Sequence, residues 1–378
     1  MQDKGGTSVE IKKIVLRKMK MEFKVPFEVS FARMTDKHFI AVEVHSRDHV
    51  GYGDCSAFEH PYYNEETTTT AWHIMQDFLI PLLFKQEEIV RPEEVHSLFA
   101  HIRRNNMAKA ALDCAIWDLY AKEQGISVAK ALGGTKDKIE TGVSIGIQGT
   151  PDDLVRVVAK HREEGYRRVK VKIKPGKDLE YLRAIRREFG DVMLMADANS
   201  AYTLKDIDVF KAMDDLDLIM IEQPLSNDDI VDHAKLQAVL KTRICLDESI
   251  HSVDDARHAI ELGSARTINI KVARVGGLTA ARNIHNLCQE HGIPVWCGGM
   301  LDTGIARAHN IAVSSLPNYK FPGDVPASDR YWKVDLTTPA VVIDKQAMIQ
   351  VPEKPGIGFE PIPELLEKYT YEKKEFLR

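Results

Sequence analysis

Five charged residues between Lys172 and Lys271 each close a short apolar run, and they recur at intervals of 25, 25, 25 and 24 residues. Lys172 follows Arg168-Val-Lys-Val171, and Asp197 follows Val192-Met-Leu-Met-Ala196. Glu222 follows Leu218-Ile-Met-Ile221, Asp247 follows Ile244-Cys-Leu246, and Lys271 follows Ile268-Asn-Ile270. Each interval has room for one strand, a loop, one helix and a return. Apolar runs bounded by turn signals and separated by helical patterns read as buried parallel strands. Such a repeat, with chemistry at the carboxyl end of every strand, predicts a (β/α) barrel.

The 378 residues leave space for a second module beside the barrel, which needs about 250. A hydrophobic share of 44%, a charged share of 28% and a formal net charge of −5 are those of a soluble globular chain. With charges interspersed, nothing points to nucleic acid or an anionic membrane. The most apolar run, Phe78 to Phe84, is broken by Pro81 and is too short to span a bilayer. The first residues lack the apolar centre of a signal peptide. Cys55, Cys114, Cys245, Cys288 and Cys297 form no CxxC pair and mostly sit in apolar runs, which predicts reduced, buried thiols and a cytoplasmic location.

The front of the chain does not share the repeat. Val9–Lys18, Met19–Val29 and Phe39–Val44 read as three strands, with a polar turn around Met34-Thr-Asp-Lys37 and a loop at Gly51-Tyr-Gly-Asp54. Helices are expected over Glu65–Phe84, Pro92–Arg103 and Asn106–Gln124, the last from alanines, leucines and aromatics at three- and four-residue steps. This predicts a separate α+β domain. Thr141-Gly-Val-Ser-Ile-Gly-Ile147 begins the barrel, Ile293-Pro-Val-Trp-Cys297 continues it, and Tyr319-Lys-Phe321 is expected to be its last strand. His251 and His258 read as a solvated helix face.

Asp197, Glu222 and Asp247 offer only hard oxygen ligands, which suits Mg²⁺ better than zinc. Three like charges in one mouth repel unless a cation sits among them. The bland alternative is three separate loop carboxylates that cap helices or pair with lysines. Lys170 and Lys172 lie two apart on one strand and so share a face, and a neighbouring ammonium favours the neutral, basic form of Lys172. Lys271 lies across the barrel. A lysine on each side of a metal-bound carboxylate suits removal of the proton next to that carboxylate, with the metal stabilising the enediolate. A salt-bridged Lys170 and a Schiff-base lysine are the competing roles. Asn199 supports the metal or makes an Asx turn. Glu248 orients Lys170 or caps a helix, and Arg274 tunes Lys271 or pairs at the surface.

Lys170-Val-Lys172-Ile-Lys-Pro-Gly176, Asp197-Ala-Asn199, Glu222-Gln-Pro224, Asp247-Glu-Ser249, Ile268-Asn-Ile-Lys271 and Gly298-Gly-Met300, with the Asn105–Asp113 helix and Leu132-Gly-Gly134, resemble the muconate-lactonizing branch of the enolase superfamily. A Lys or His base with Mg²⁺ stabilising an enediolate is the established pattern of that superfamily. Within the branch the chain is similar to the o-succinylbenzoate synthases and N-acylamino-acid racemases. The resemblance implies an α/β fold, a (β/α)7β TIM-like barrel with an N-terminal α+β capping domain completed by the C-terminal tail. Its boundaries would be 1–130, 131–325 and 326–378.

It further implies that Asp197, Glu222 and Asp247 bind Mg²⁺, with Mn²⁺ able to substitute, and that Lys172 and Lys271 are the acid/base pair. Lys170, Asn199, Glu248 and Arg274 would support them. Loops Phe27 to Phe31 and Phe58 to Tyr63 would close over the substrate, with Phe27, Phe58 and Tyr63 against it. Ser144, Gly299, Met300 and Leu301 would hold its remote end. The implied substrate is a small carboxylate with a succinyl or N-acyl group, and the implied assembly a homo-oligomer without nucleic-acid or membrane partners. Two departures from the family pattern stand out: Asp302, where relatives often carry Glu, and Ala273, where Gly is common.

Overall fold

The computed structural model describes residues 8–29 and 32–378. Strands β1 (Lys13–Val29), β2 (Ala32–His45) and β3 (Val50–Cys55) form an antiparallel sheet, and the C-terminal strand Thr370–Leu377 pairs with the outer edge of β1. The two strands expected over Val9–Lys18 and Met19–Val29 merge into the single long β1. Met19, Met21 and Phe23 keep the alternation of a half-buried strand going, so no turn forms. The segment read as a polar turn, 34–37, lies inside β2, where Asp36 and Lys37 face Glu22 and Met21. Ser30 and Phe31 of the first expected lid lie outside the described residues.

Gly51 and Gly53 belong to a strand rather than a loop. Helix Asn106–Glu123 crosses β3 so closely that a Cβ at either position would overlap the carbonyl of Ala115 or Ala111. The helix expected over 65–84 runs as Thr68–Ile74, a π-turn at Met75–Leu79 and Ile80–Phe84. The wide turn precedes Pro81, which has no N–H to give and whose ring crowds the preceding turn. Of the expected Pro92–Arg103 helix only Glu94–Leu98 is α-helical.

After β4 (Lys138–Glu140), which pairs with 348–350, seven parallel strands curl in sequence order. They are β5 (Val143–Ile145), β6 (Arg168–Lys172), β7 (Met193–Asp197), β8 (Met220–Glu222), β9 (Ile244–Leu246), β10 (Thr267–Ile270) and β11 (Val295–Cys297). The expected eighth strand at 319–321 is reduced to single bridges, Val295 to Tyr319 and Thr141 to Gly323. Backbone bonds from Lys320 and Asp324 to the Val295 and Cys297 carbonyls, and from Gly142 to Gly323, close the barrel there.

Period-two alternation explains the site. Inward positions two apart stack in layers. Met195, Met220, Cys245 and Trp296 form an apolar plug, while Asp197, Glu222 and Asp247 sit one step higher. Asn269 and Lys271 repeat the step on and just past β10. All five cysteines are buried and free. Among the described residues no helix is long and apolar enough to cross a membrane.

Candidate active site

Strand register brings Lys172, Asp197 and Glu222 side by side, since Lys172 pairs with Asp197 and Asp197 with Glu222. Glu222 pairs with Cys245, and Asp247 follows two residues later, just past β9. Lys271 follows β10 directly as the N-cap of the short helix Val272–Val275.

The polar atoms form one connected network. Lys172 Nζ is 2.7 Å from Asp197 Oδ2 and also donates to Asn199 Oδ1. Lys170 Nζ lies 3.3 Å from Asp197, 3.1 Å from Glu222 and 2.6 Å from Asp324. It is the salt-bridged lysine, and both lysines do share one face. Across the mouth, Lys271 Nζ is 2.8 Å from Asp247 Oδ2 and 3.1 Å from the Tyr63 hydroxyl. Arg274 also holds Asp247, and it donates to Ile250 O at 2.8 Å and Asn269 O at 2.6 Å. It is buried, not a surface pair.

Glu248 accepts from Asn199 Nδ2 at 2.9 Å, so it orients Asn199 and through it Lys172, rather than Lys170. The Asx turn is made by Asp197, whose Oδ1 accepts the Asn199 N–H at 3.1 Å. Asn199 itself has φ 41°, a conformation that asparagine tolerates better than most residues. His251 precedes its helix and is half-buried, while His258 is exposed.

Charge follows from burial and neighbours. Burial works to raise Asp197, but the Lys172 and Lys170 ammoniums outweigh it and hold the carboxyl well below its usual range. Asp247 is likewise lowered, against burial, by Arg274 and Lys271. Glu222 goes the other way: burial and then Asp197 push it well up, with Asp247 adding to the rise. Burial and Asp247 raise Glu248 to about 7. Lys271 is raised, because Asp247 and Tyr63 overcome its burial.

Ser144 lies beside Lys170 in register, and its carbonyl is 3.4 Å from Arg330. Phe27 and Phe58 pack against the apolar cluster that includes Leu301, and Phe58 is edge-on to Tyr63 at 6.3 Å. The Met300 N–H is turned onto the Asp302 carboxylate at 3.2 Å. Sequence reasoning missed Asp324, Arg168 and Asn269. Asn269 Nδ2 donates to Glu222 at 2.6 Å, and the inward parity of 269 with Lys271 could have flagged it. Asp324 stands at the end of a strand too irregular to leave a pattern.

As they stand, no three acidic, His or Cys side chains among the described residues come close enough to hold an ion. Lysine, arginine and asparagine donors take the carboxylate lone pairs. The donor set nevertheless fits a hard divalent cation. The wholly buried Glu222 feels both Asp197 and Asp247 as like charges, and Glu248 Oε2 and Asn269 Oδ1 are buried without partners.

The fold and site define a two-domain enzyme class, and the sequence agrees. The pattern of the mandelate racemase / muconate lactonizing enzyme N-terminal domain matches residues 11–133, and that of the enolase C-terminal domain-like family matches 153–365. The chain belongs to this family, within the enolase superfamily. It is 54% identical to the o-succinylbenzoate synthase of Geobacillus kaustophilus, over 98% of this chain and 99% of that one. It is 42% identical to the N-succinylamino acid racemase of Amycolatopsis sp, over 94% and 96%. A solved enolase-superfamily structure from Listeria innocua superposes with a TM-score of 0.95 at 44% identity, covering 98% of this chain and 99% of that one.

Proposed function

We propose that this chain is an o-succinylbenzoate synthase, removing water from 2-succinyl-6-hydroxy-2,4-cyclohexadiene-1-carboxylate to give 2-succinylbenzoate in menaquinone synthesis. The observation that carries the reading is near-full-length identity to proteins of that name, 54% in Geobacillus kaustophilus and 50% in Bacillus subtilis. Asp197, Glu222 and Asp247 would hold a divalent ion, Mg²⁺ before Mn²⁺, and bound there it supplies positive charge to the enediolate. Lys172 takes the α-proton and returns it to the departing hydroxyl, so one C–H and one C–O bond break and water leaves. Lys271, kept charged by Asp247 and Tyr63 against its burial, steadies the anion from the opposite side. Asn199 and Glu248 hold the Lys172 amine in place.

A second reading, N-succinylamino acid racemase, is favoured by the 42% identity to the Amycolatopsis enzyme. It needs both lysines to exchange protons, one on each face. Both chemistries share the first step and can coexist. A cytoplasmic, homo-oligomeric enzyme with a small succinylated carboxylate as its partner belongs to the same proposal. Purified protein with Mg²⁺ should be assayed in parallel on both substrates. Turnover of neither would overturn the proposal.

A further inference from the structure

Lys37 is a cap residue, on β2, with only 2% of its surface exposed. Among the described residues its ammonium has no carboxylate partner. Its Nζ donates to Leu301 O at 3.2 Å and Ser56 Oγ at 3.3 Å. Burying an ammonium without a counter-ion in direct contact is costly; Asp302 feels its charge from farther away, and the Phe39 ring lies 5.5 Å from it. Leu301 has φ 56°, the left-handed region that a branched side chain adopts only when its surroundings impose it.

The turn 299–303 is held from both sides. From the cap, Lys37 takes the Leu301 carbonyl, and Asp54 accepts from Thr303 Oγ1 at 2.6 Å while also binding Ser56 at 3.1 Å. From the barrel, Arg307 donates to Asp302 O at 2.8 Å and Asn310 binds the Asp302 carboxylate at 3.0 Å, while Trp332 of the C-terminal segment donates to the same carbonyl at 3.0 Å. Lys37 is thus a cap side chain that grips the strained carbonyl directly. The turn follows β11, separated by β10 from the strands β7, β8 and β9 that carry the acids at or just past their ends, so it borders a different part of the mouth. Gly298 and Met300 line the same small cavity as Lys271, and a Cβ on Gly299 would overlap the Asp324 carbonyl.

We infer that Lys37 is a positioning residue: by holding the Leu301 carbonyl it fixes the turn after β11 and so sets which acyl arm the enzyme accepts. The selectivity half of this claim rests on the functional reading above, while the positioning half does not. The test is Lys37→Met, which keeps length and removes both hydrogen bonds. Amide exchange over 298–303 should quicken by about tenfold or more in the folded variant, the scale of one lost charge-assisted hydrogen bond. KM for an N-succinyl amino acid should rise about tenfold relative to its N-acetyl analogue, with kcat nearly unchanged, and Lys37→Arg should restore most of the difference.

A Lys37→Met protein with a lower Tm but unaltered exchange at 298–303 and an unaltered KM ratio overturns the inference, since Lys37 would then only fill the junction. If that variant does not fold, Ser56→Ala, which removes one of the two partners of Lys37, gives the same readouts. Should the wild type turn over neither substrate, the functional reading fails, and the exchange measurement alone decides the positioning role.

Discussion

The Lys170 ammonium lies 2.6 Å from Asp324, whose other oxygen is 2.7 Å from Arg168, so one carboxylate ties the closing segment of the barrel to two cations of β6. Asp324→Ala leaves both buried cations short of a partner and should cost about 3–5 kcal/mol in a denaturant titration. Burial would raise the Asp324 carboxyl, but Arg168 and Lys170 hold it well below its usual range. Its contribution is therefore present above an unfolded value of about 4 and is lost as pH falls through the folded one. The deficit of the variant should shrink in strong acid.

The two lysines should separate under substitution. Lys172→Ala should abolish both dehydration and exchange of the α-hydrogen, read by deuterium uptake in NMR. Lys271→Arg keeps a cation beside Asp247 and should lose stereoinversion altogether while retaining some dehydration. Two-way exchange surviving in Lys271→Arg would refute the role given to Lys271.

Tyr63 reaches from the cap to within hydrogen-bonding distance of both Lys271 and Arg274. Tyr63→Phe removes the hydroxyl and leaves the ring, which sits 4.8 Å from the Lys271 amine. The expected result is a fall in kcat of about tenfold, the worth of one hydrogen bond to a charged group, with little change in Tm. An unchanged kcat would show that the contact is incidental.

Mg²⁺ should raise the Tm of the wild type, by an increment equivalent to about 2.7 kcal/mol at a hundred times its Kd. The increment should vanish in Glu222→Gln and Asp247→Asn. Equal increments in wild type and variants would remove these residues from the metal site.

Burial pushes the Asp113 carboxyl up to about 7, although Thr279 donates to it at 2.8 Å. A raised folded value makes its contribution full below an unfolded value of about 4 and lost as pH rises through about 7. Urea titrations at pH 5 and pH 8 should show the advantage of the wild type over Asp113→Asn shrinking at the higher pH.

The barrel and its acidic row were legible because strand parity and a near-constant interval are local properties of a sequence. Lys172, Asp197, Glu222, Asp247 and Lys271 are all marked by them. What stayed hidden depends on partners far away in the chain. Tyr63 meets Lys271 across 208 positions, and Lys37 meets Leu301 across 264. Neither contact has a periodic signature. The front sheet misled for a different reason: Thr35, Asp36 and the buried Lys37 of β2 look like a turn when read as polar residues alone, and glycines thinned for a crossing helix look like a loop.

The barrel is sealed between β11 and β5 by isolated bridges and by Arg168, which donates to the Pro322 carbonyl. Elsewhere its strands are laddered. A seam held largely through side chains stays shut only while those side chains are kept, so a substitution at Asp324 or Arg168 should let the segment after β11 loosen while the three acids keep their register. One residue change could thus soften one side of the mouth and leave the acidic row undisturbed.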